Sequence, residues 1–352
     1  MRITLLGDFA PVCRGSNYLL DKREEVRNYL HELFRESDLV FANLETPITN
    51  SEKKAENKRF SFKMNPELTE VFPPQLILSI ANNHILDFGD EGLSDTIKNL
   101  KIKGILFTGA GKNINEAGTP VIVKCKNKQV GFIASADKRY KSATEENYGV
   151  FPSDLNVLIP KIKELKKQVN LLFLSIHMGM EYIPVPTPAM MEMAKQSHEA
   201  GADVVFFHHT HCLSGVTLRE NHTTLWGLGN FIFPEKKNNP FKPWIETAAF
   251  HFNYADNQND ISLDIIPYRI SEVGLPEKPD TATREKIISR IEKLSREINS
   301  GKSLIWLRWI NIIKPSYLQI AFSNYLDIAR RQGITGMFRQ IFSSIQVLFF
   351  KK

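Results

Sequence analysis

A layered α/β fold with a helical C-terminal extension follows from three features of the 352-residue sequence. Short apolar runs of strand length alternate with segments of helical periodicity over roughly the first 270 residues, the pattern of a sheet covered by helices. Several of these runs are apolar on consecutive residues, as strands buried on both faces are. Past His211 the pattern changes to hairpins, and beyond residue 272 it changes again to helix.

Taken in order, the first strand is "ITLL" (Ile3–Leu6). The segment around it, "MRITLLGDFAP", has one basic residue and an apolar run shorter than the core of a secretory signal. A helical pattern over Lys22–Glu36 leads to "DLVFA" (Asp38–Ala42), and "LILSI" (Leu76–Ile80) supplies a third strand. A helix over Asp90–Lys101 precedes "ILF" (Ile105–Phe107). Helices over Leu155–Lys167 and Pro188–Ala200 alternate with "LLFLSI" (Leu171–Ile176) and "DVVFF" (Asp203–Phe207). "GVTLRENHTTLWGL" reads as a hairpin turning near Glu220–Asn221, and "IETAAFHFNYADNQNDISLDIIPYRI" as a second, turning around Ala255–Asp260. The linker "SEVGLPEKPDTAT" follows, and helix is expected from about Thr283. Two regions result: residues 1–272, and a linker plus helical extension over 273–352.

Composition narrows the function. A hydrophobic content of 42% supports an ordinary soluble core. Cys13, Cys125 and Cys212 are far apart and odd in number, which indicates neither a disulfide framework nor a thiolate zinc site. The net charge of +6 is uneven. Residues 301–352 carry eight Lys and Arg against one acid, Asp327, a net of +7 that leaves −1 for the rest. A generally basic surface on the main body is thus not indicated, and nucleic acid is not an expected partner. No uncharged stretch reaches the roughly 18 residues of a membrane span; the longest in the tail, Pro315–Leu326, has 12. The expected location is cytoplasmic. The tail, with Trp306, Trp309, Phe338, Phe342, Phe349 and Phe350 among its charges, reads either as helices packed on the body or as a basic amphipathic surface. Such a surface would meet the inner membrane face or a partner protein.

The chemistry lies in where polar residues fall. Asp8, Asn43 with Glu45, Asn83 with His84, His177, and His209 with His211 each follow the C-terminal end of a predicted strand. In open α/β sheets that edge is where sites are built. Carboxylates, an amide oxygen and imidazoles together suit Mn, Mg, Fe or Zn, and the lack of cysteine argues against a structural zinc. Two cations sharing a carboxylate can bind an anionic substrate and activate water.

Six stretches then occur in one order: "GDFAP", "FANLETPIT", "SIANNHILDFGDEGLSDTIKNLKIKGILFTGAG", "SIHMGMEY", "GADVVFFHHTH" and "WGLGNFIF". This series resembles the CapA, or poly-γ-glutamate capsule biosynthesis, family, whose fold is similar to the calcineurin-like metallophosphoesterases. The resemblance covers roughly residues 1–270. It implies a four-layer α/β/β/α sandwich and a centre for one or two divalent ions, Mn, Fe or Zn. Asp8 would bind the first metal, Glu45 would bridge, Asn83 and His177 would bind the second with His209, and His211 would turn to the first. His84 would protonate the leaving group or contact the substrate anion.

Three departures stand out. Ala10 occupies the place of a usual histidine, Glu45 that of a usual aspartate, and Phe207 that of a usual glycine, before His208 where a small residue or histidine is usual. The first metal is left with Asp8, Glu45 and His211, and is expected to be weaker, more open or empty. Met178 stands where tryptophan is common, which alters the pocket wall.

Each assignment has a plainer rival. Asp8 could end a strand in a Gly-Asp turn, Asn43 offers an oxygen in place of Glu45, and Asn83 and His84 could be turn residues. Alternation along a strand turns His208 away from its neighbours, into a structural or supporting role. Glu181 and Tyr182 either shape the pocket or cap the next helix. "GLGN" (Gly227–Asn230) reads as a tight turn that permits close backbone approach. "GAG" (Gly109–Gly111) lacks the Lys-Ser/Thr of a phosphate loop. Cys212 is either a nucleophile or a buried thiol. The functional expectation is a metal-dependent hydrolase linked to capsule or exopolymer (poly-γ-glutamate or polysaccharide) biosynthesis, acting on a phosphoester or other anionic small-molecule or polymeric substrate. The alternative is a non-catalytic polymer-binding or assembly factor on the same fold.

Overall fold

A computed structural model describes residues 1–301 apart from residues 13, 57, 59, 60, 235–241 and 255–260. The basic aromatic tail, and with it the membrane or partner contact expected there, lies outside the described residues. No helix among the described residues is long and apolar enough to cross a membrane.

Strand β1 (Arg2–Phe9) is followed by α1 (Arg14–Asp21), α2 (Arg23–Leu33), β2 (Leu39–Leu44), β3 (Leu76–Ser79), α3 (Gly89–Ile102) and β4 (Leu106–Thr108). Short β5 (Ala110–Gly111) and α4 (Ile114–Ala117) lead to β6 (Val121–Cys125), β7 (Lys128–Ala136) and β8 (Gly149–Val150). Then come α5 (Leu155–Lys166), β9 (Leu171–His177), α6 (Pro188–Glu199) and β10 (Val204–His208). The chain continues through β11 (Val216–Arg219), β12 (His222–Leu225), β13 (Asn230–Ile232), β14 (Glu246–Tyr254), β15 (Ile261–Ile270), β16 (Pro276–Glu277) and α7 (Thr281–Asn299).

Two sheets carry the fold. The first runs β16-β15-β14-β1-β2-β3-β4 with β13 also on β1, and the second runs β11-β12-β10-β9-β7-β6. Aromatic contacts join them face to face. Phe41 of β2 stacks on Phe132 of β7 at 5.3 Å and meets Phe206 of β10 edge-on at 5.2 Å, while Phe173 of β9 meets Phe252 of β14 at 5.8 Å. The next residues along β9 and β10, Leu172, Leu174, Val205 and Phe207, belong to a second core with Leu158 and Ile162 of α5 and Met190 and Ala194 of α6. Helices α1 to α3 cover the other outer face, with Val26, Leu30, Leu93 and Leu100 buried. Alternate strand residues thus feed two different cores, which explains the unbroken apolar runs. The result is the expected four-layer α/β/β/α sandwich.

Both hairpins after His211 form: β11 pairs antiparallel with β12, and β14 with β15. The β6–β7 hairpin was not expected from the sequence. The segment over 273–299 is less of a linker than its prolines suggest. Pro276–Glu277 pair with β15, and α7 buries Ile287, Ile291, Leu294 and Ile298. Asp280 caps this helix by accepting from the Thr283 amide. The Val216 amide donates to Ser295 Oγ at 2.8 Å and ties α7 to β11.

Strands β1, β2, β3 and β4 run parallel, as do β7, β9, β10 and β12. Their C-terminal ends therefore emerge at one edge of each sheet, where the polar residues lie.

Candidate metal centre

Asp8 is placed by a close backbone approach. A Cβ on Gly7 would fall 2.1 Å from the carbonyl oxygen of Gly229, so only glycine fits at position 7. The Asp8 amide donates to the same carbonyl at 2.9 Å, and Asp8 pairs in register with Asn43 on β2 and Asn230 on β13. The carboxylate is fully buried. Its Oδ1 accepts from Asn43 Nδ2 at 2.8 Å and lies 2.9 Å from His208 Nδ1, and its Oδ2 lies 3.3 Å from His211 Nδ1. Burial alone would favour the acid, but the adjacent imidazoles of His208 and His211 outweigh it and hold Asp8 well below the usual carboxylate range.

Glu45 sits just past β2, its amide donating to the Phe9 carbonyl at 2.9 Å. It too is fully buried, yet neither carboxylate oxygen has a hydrogen-bond partner. Oε1 is 3.6 Å from His177 Nε2 and 3.8 Å from His211 Nε2. Burial, then the charges of Asp8 and Glu181, push its pKa well above the usual value. Asp8 Oδ2 also lacks a hydrogen-bond partner. A buried carboxylate with two orphaned oxygens is costly by itself, and a divalent cation removes that cost.

His177 ends β9 with Nε2 2.7 Å from Asn83 Oδ1 and Nδ1 3.2 Å from Asn43 Nδ2. Burial, with His209 adding, lowers its pKa well below that of free imidazole. His209 and His211 follow β10 in left-handed backbone, with φ of 85° and 54°. That conformation breaks strand alternation and brings both rings to the centre. His209 Nε2 lies 3.3 Å from the Tyr140 hydroxyl, and burial lowers its pKa to about 4. His211 Nδ1 lies 2.8 Å from Asn230 Oδ1, with its ring 4.7 Å from that of Trp244. With their pKa values lowered, His177 and His209 stay neutral and keep the lone pair that a metal needs.

Six of the seven predicted side chains thus meet. Ligand atoms of Asp8, Glu45 and His211 lie within 4.8 Å of one another, as do those of Glu45, His177 and His209. Glu45 is common to both groups, and Asn83 joins the second through His177. The seventh, His84, stands beside Asn83. Its Nδ1 is 2.8 Å from Asp87 Oδ2 and its ring lies 4.4 Å from that of Phe62. Asp87 is buried and also pairs with Lys58 Nζ at 2.8 Å. The donor set fits a divalent cation or a pair of them: two carboxylates with orphaned oxygens, an amide oxygen and three imidazoles.

His208 faces the inter-sheet side with Phe206, their rings 5.7 Å apart, and reaches Asp8 from beneath as a supporting group. Cys212 is a buried thiol whose pKa burial pushes up to about 12, which removes it as a nucleophile. Ala10 is buried in the second core, so the first group keeps only its three side chains. Sequence reading gave no role to Asn230, Tyr140 and Asp87, and left Glu181 open. Asn230 falls in a stretch read as a turn, and Asp87 follows His84 by one helical step, a spacing that could have suggested the pair. Tyr140 lies in a loop without pattern.

Comparison with known proteins gives a consistent picture. The family model described as "Bacterial capsule synthesis protein PGA_cap" matches residues 2–235. The "PGA biosynthesis protein CapA" of Bacillus subtilis is 27% identical over 293 residues, 79% of this chain and 75% of that protein. The "Capsule biosynthesis protein CapA" of Bacillus anthracis is 30% identical over 291 residues, 78% of this chain and 68% of that protein. Among solved structures, a phosphatase from Mycoplasma pneumoniae aligns with a TM-score of 0.48 at 13% identity, covering 80% of this chain and 96% of that one. A likeness at that level says nothing about chemistry.

Proposed function

The chain belongs to the bacterial capsule synthesis protein PGA_cap family, and from that premise we propose that it is a metal-dependent hydrolase of capsule or exopolymer biosynthesis, acting on a phosphoester or another anionic linkage. One observation carries the reading. Glu45 is fully buried with both oxygens unpartnered, between the Asp8–His211 and His177–His209 sides of the centre. A divalent cation bound there, Mn, Fe or Zn, supplies Lewis-acid stabilisation of charge developing on a substrate oxygen.

The chain's own residues do the rest. Asp87 fixes His84 through Nδ1 and leaves Nε2 to give a proton to the leaving oxygen. Phe62 covers one side of that imidazole. Tyr140 keeps its proton, because burial and then Asp137 raise its pKa, so its hydroxyl can donate to an anionic substrate. Asn43 and His208 hold Asp8 in place.

A second reading, a non-catalytic polymer-binding or assembly factor, is favoured by Ala10, which leaves the first group with Asp8, Glu45 and His211 among the described residues. Reconstitution with Mn, Fe or Zn and assay against a panel of phosphoesters and poly-γ-glutamate separates the two. Metal-dependent turnover that His209→Ala abolishes supports the hydrolase. Polymer binding without turnover in any metal supports the second reading. Turnover unaffected by His209→Ala contradicts the hydrolase reading. For residues 301–352 the proposed role is contact with an anionic membrane face or a partner protein. Equal co-sedimentation on anionic liposomes of the full chain and a chain ending at residue 301 would contradict the membrane contact.

A further inference from the structure

The chain between β2 and β3 sends three groups to one buried residue, Asp87. The Ala55 amide donates to its main-chain carbonyl at 2.9 Å, and the Phe62 amide donates to its Oδ2 at 2.8 Å. Lys58 Nζ lies 2.8 Å from its Oδ1, an ion pair off the line of a hydrogen bond, and donates to the Asn83 carbonyl as well. We propose that Lys58 is a positioning residue for His84: by bridging the Asn83 carbonyl and the Asp87 carboxylate, it fixes the direction in which the imidazole faces the centre. The catalytic consequence rests on the hydrolase reading; the positioning itself does not.

The turn that carries His84 is held by its own backbone. Asn82 Oδ1 accepts from the His84 and Ile85 amides at 3.1 and 2.9 Å, and the Asp87 amide donates to the His84 carbonyl at 2.9 Å. These bonds set the main chain and leave the ring free to turn. Ring direction comes from Asp87 Oδ2, 2.8 Å from Nδ1, and from the Phe62 ring at 4.4 Å. The carboxylate torsion of an aspartate is itself soft. With only Oδ2 anchored, the plane of Asp87 could swing and carry His84 with it. Lys58 holds the other oxygen.

A lysine–carboxylate pair at a surface usually contributes little. Here the Asp87 side chain is fully buried while that of Lys58 is 31% exposed. The ammonium therefore reaches inward to a charge that water does not cover. It also touches the main chain of Asn83, whose Oδ1 meets His177 Nε2 at 2.7 Å. One side chain thus ties a group at the metal centre to the group beside it that would give up a proton.

The full chain tests this as wild type, Lys58→Met, Lys58→Arg and His84→Gln, after Tm and Mn content are shown to match. The first readout needs no turnover. In the chelator-treated protein, the downfield proton resonance of His84 Nδ1–H, assigned by its loss in His84→Gln, is expected to shift or broaden in Lys58→Met and to return in Lys58→Arg. The second is turnover of phenyl phosphate and p-nitrophenyl phosphate by the Mn-loaded protein. Lys58→Met is expected to lower kcat on phenyl phosphate at least about tenfold, part of the 10²–10⁴ that a general acid contributes, with KM changing less. The loss is smaller on p-nitrophenyl phosphate, whose leaving oxygen needs little protonation, and Lys58→Arg recovers part of it. An unchanged resonance in Lys58→Met, or equal losses on the two esters, overturns the role of Lys58 and leaves the hydrolase reading standing. A wild type that turns over neither ester with Mn, Fe or Zn counts against the hydrolase reading, and the resonance alone then decides whether Lys58 positions His84.

Discussion

Replacing Glu45 by Gln separates stability from function in opposite directions. In the metal-free protein this carboxylate is fully buried, has no hydrogen-bond partner on either oxygen and feels the charge of Asp8. Leaving a buried polar group unsatisfied costs about 1–3 kcal/mol, more if it is charged. Glutamine has nearly the same shape, carries no charge and brings an N–H that can donate to Asp8, whose Oδ2 is also unsatisfied. Glu45→Gln is therefore expected to stabilise the chelator-treated protein by about 1–3 kcal/mol. At ~2–4 °C per kcal/mol that is a rise of several degrees in Tm. Because the folded-state pKa of Glu45 is raised, the wild type is not penalised in acid, and the penalty appears as pH climbs through that pKa. The advantage of the variant therefore grows with pH. Mn reverses the order. At a hundredfold excess over Kd the wild type gains about 2.7 kcal/mol, and the variant, lacking the shared carboxylate, gains little. Differential scanning fluorimetry with chelator and with Mn, from pH 5 to 8, reads all three effects. A variant that melts below the wild type in chelator, or that gains as much from Mn, would refute the reasoning.

Two further outcomes follow from other parts of the molecule. Asp87→Asn removes the charge that fixes His84 through Nδ1; on the proposed hydrolase reading, kcat of the Mn-loaded protein should fall about 10- to 100-fold, part of the 10²–10⁴ that a general acid contributes. Metal stoichiometry should be unchanged, and a loss of bound Mn would show that Asp87 shapes the centre instead. His198 is mostly buried between the Ala202 carbonyl and the Thr224 hydroxyl, and burial lowers its pKa to about 4. Its contribution to stability is complete above pH 6.5 and is lost as pH falls from there towards 4, by at most on the order of 3 kcal/mol. His198→Asn should flatten urea-denaturation stability across that range; an unchanged slope would contradict the assignment.

Strand ends were the most legible part of the sequence. Runs such as "LLFLSIH" and "VVFFHH" combine a double-sided apolar stretch with a polar terminus, and the period-2 geometry of strands leaves few alternatives. The structure accordingly brings Asp8, Glu45, Asn83, His177, His209 and His211 to one edge. Less legible was β7, whose "GFIASA" is broken by glycine, serine and alanine, and whose turn at Lys126, φ 53°, lacks the Asn-Gly signal of a tight hairpin. The role of His208 depended on the register of two sheets, because its partner Asp8 comes from the opposite one. Asn230 was hidden for the same reason: β13 pairs with β1 from more than 200 residues away. Glu181 and Tyr140 sit on loops, where no periodicity reports direction and only the closed fold shows which side chains face the histidines.

The central claim is that this buried edge binds divalent cations. Its most direct test is the metal-to-protein ratio of the full chain after chelator stripping, Mn reconstitution and desalting, measured by inductively coupled plasma mass spectrometry. The predicted result is at least one Mn per wild-type chain, and a lower ratio in His209→Ala, which strips a ligand from the His177 side, while the fold persists. A wild type that retains no Mn, Fe or Zn under the same treatment would contradict it.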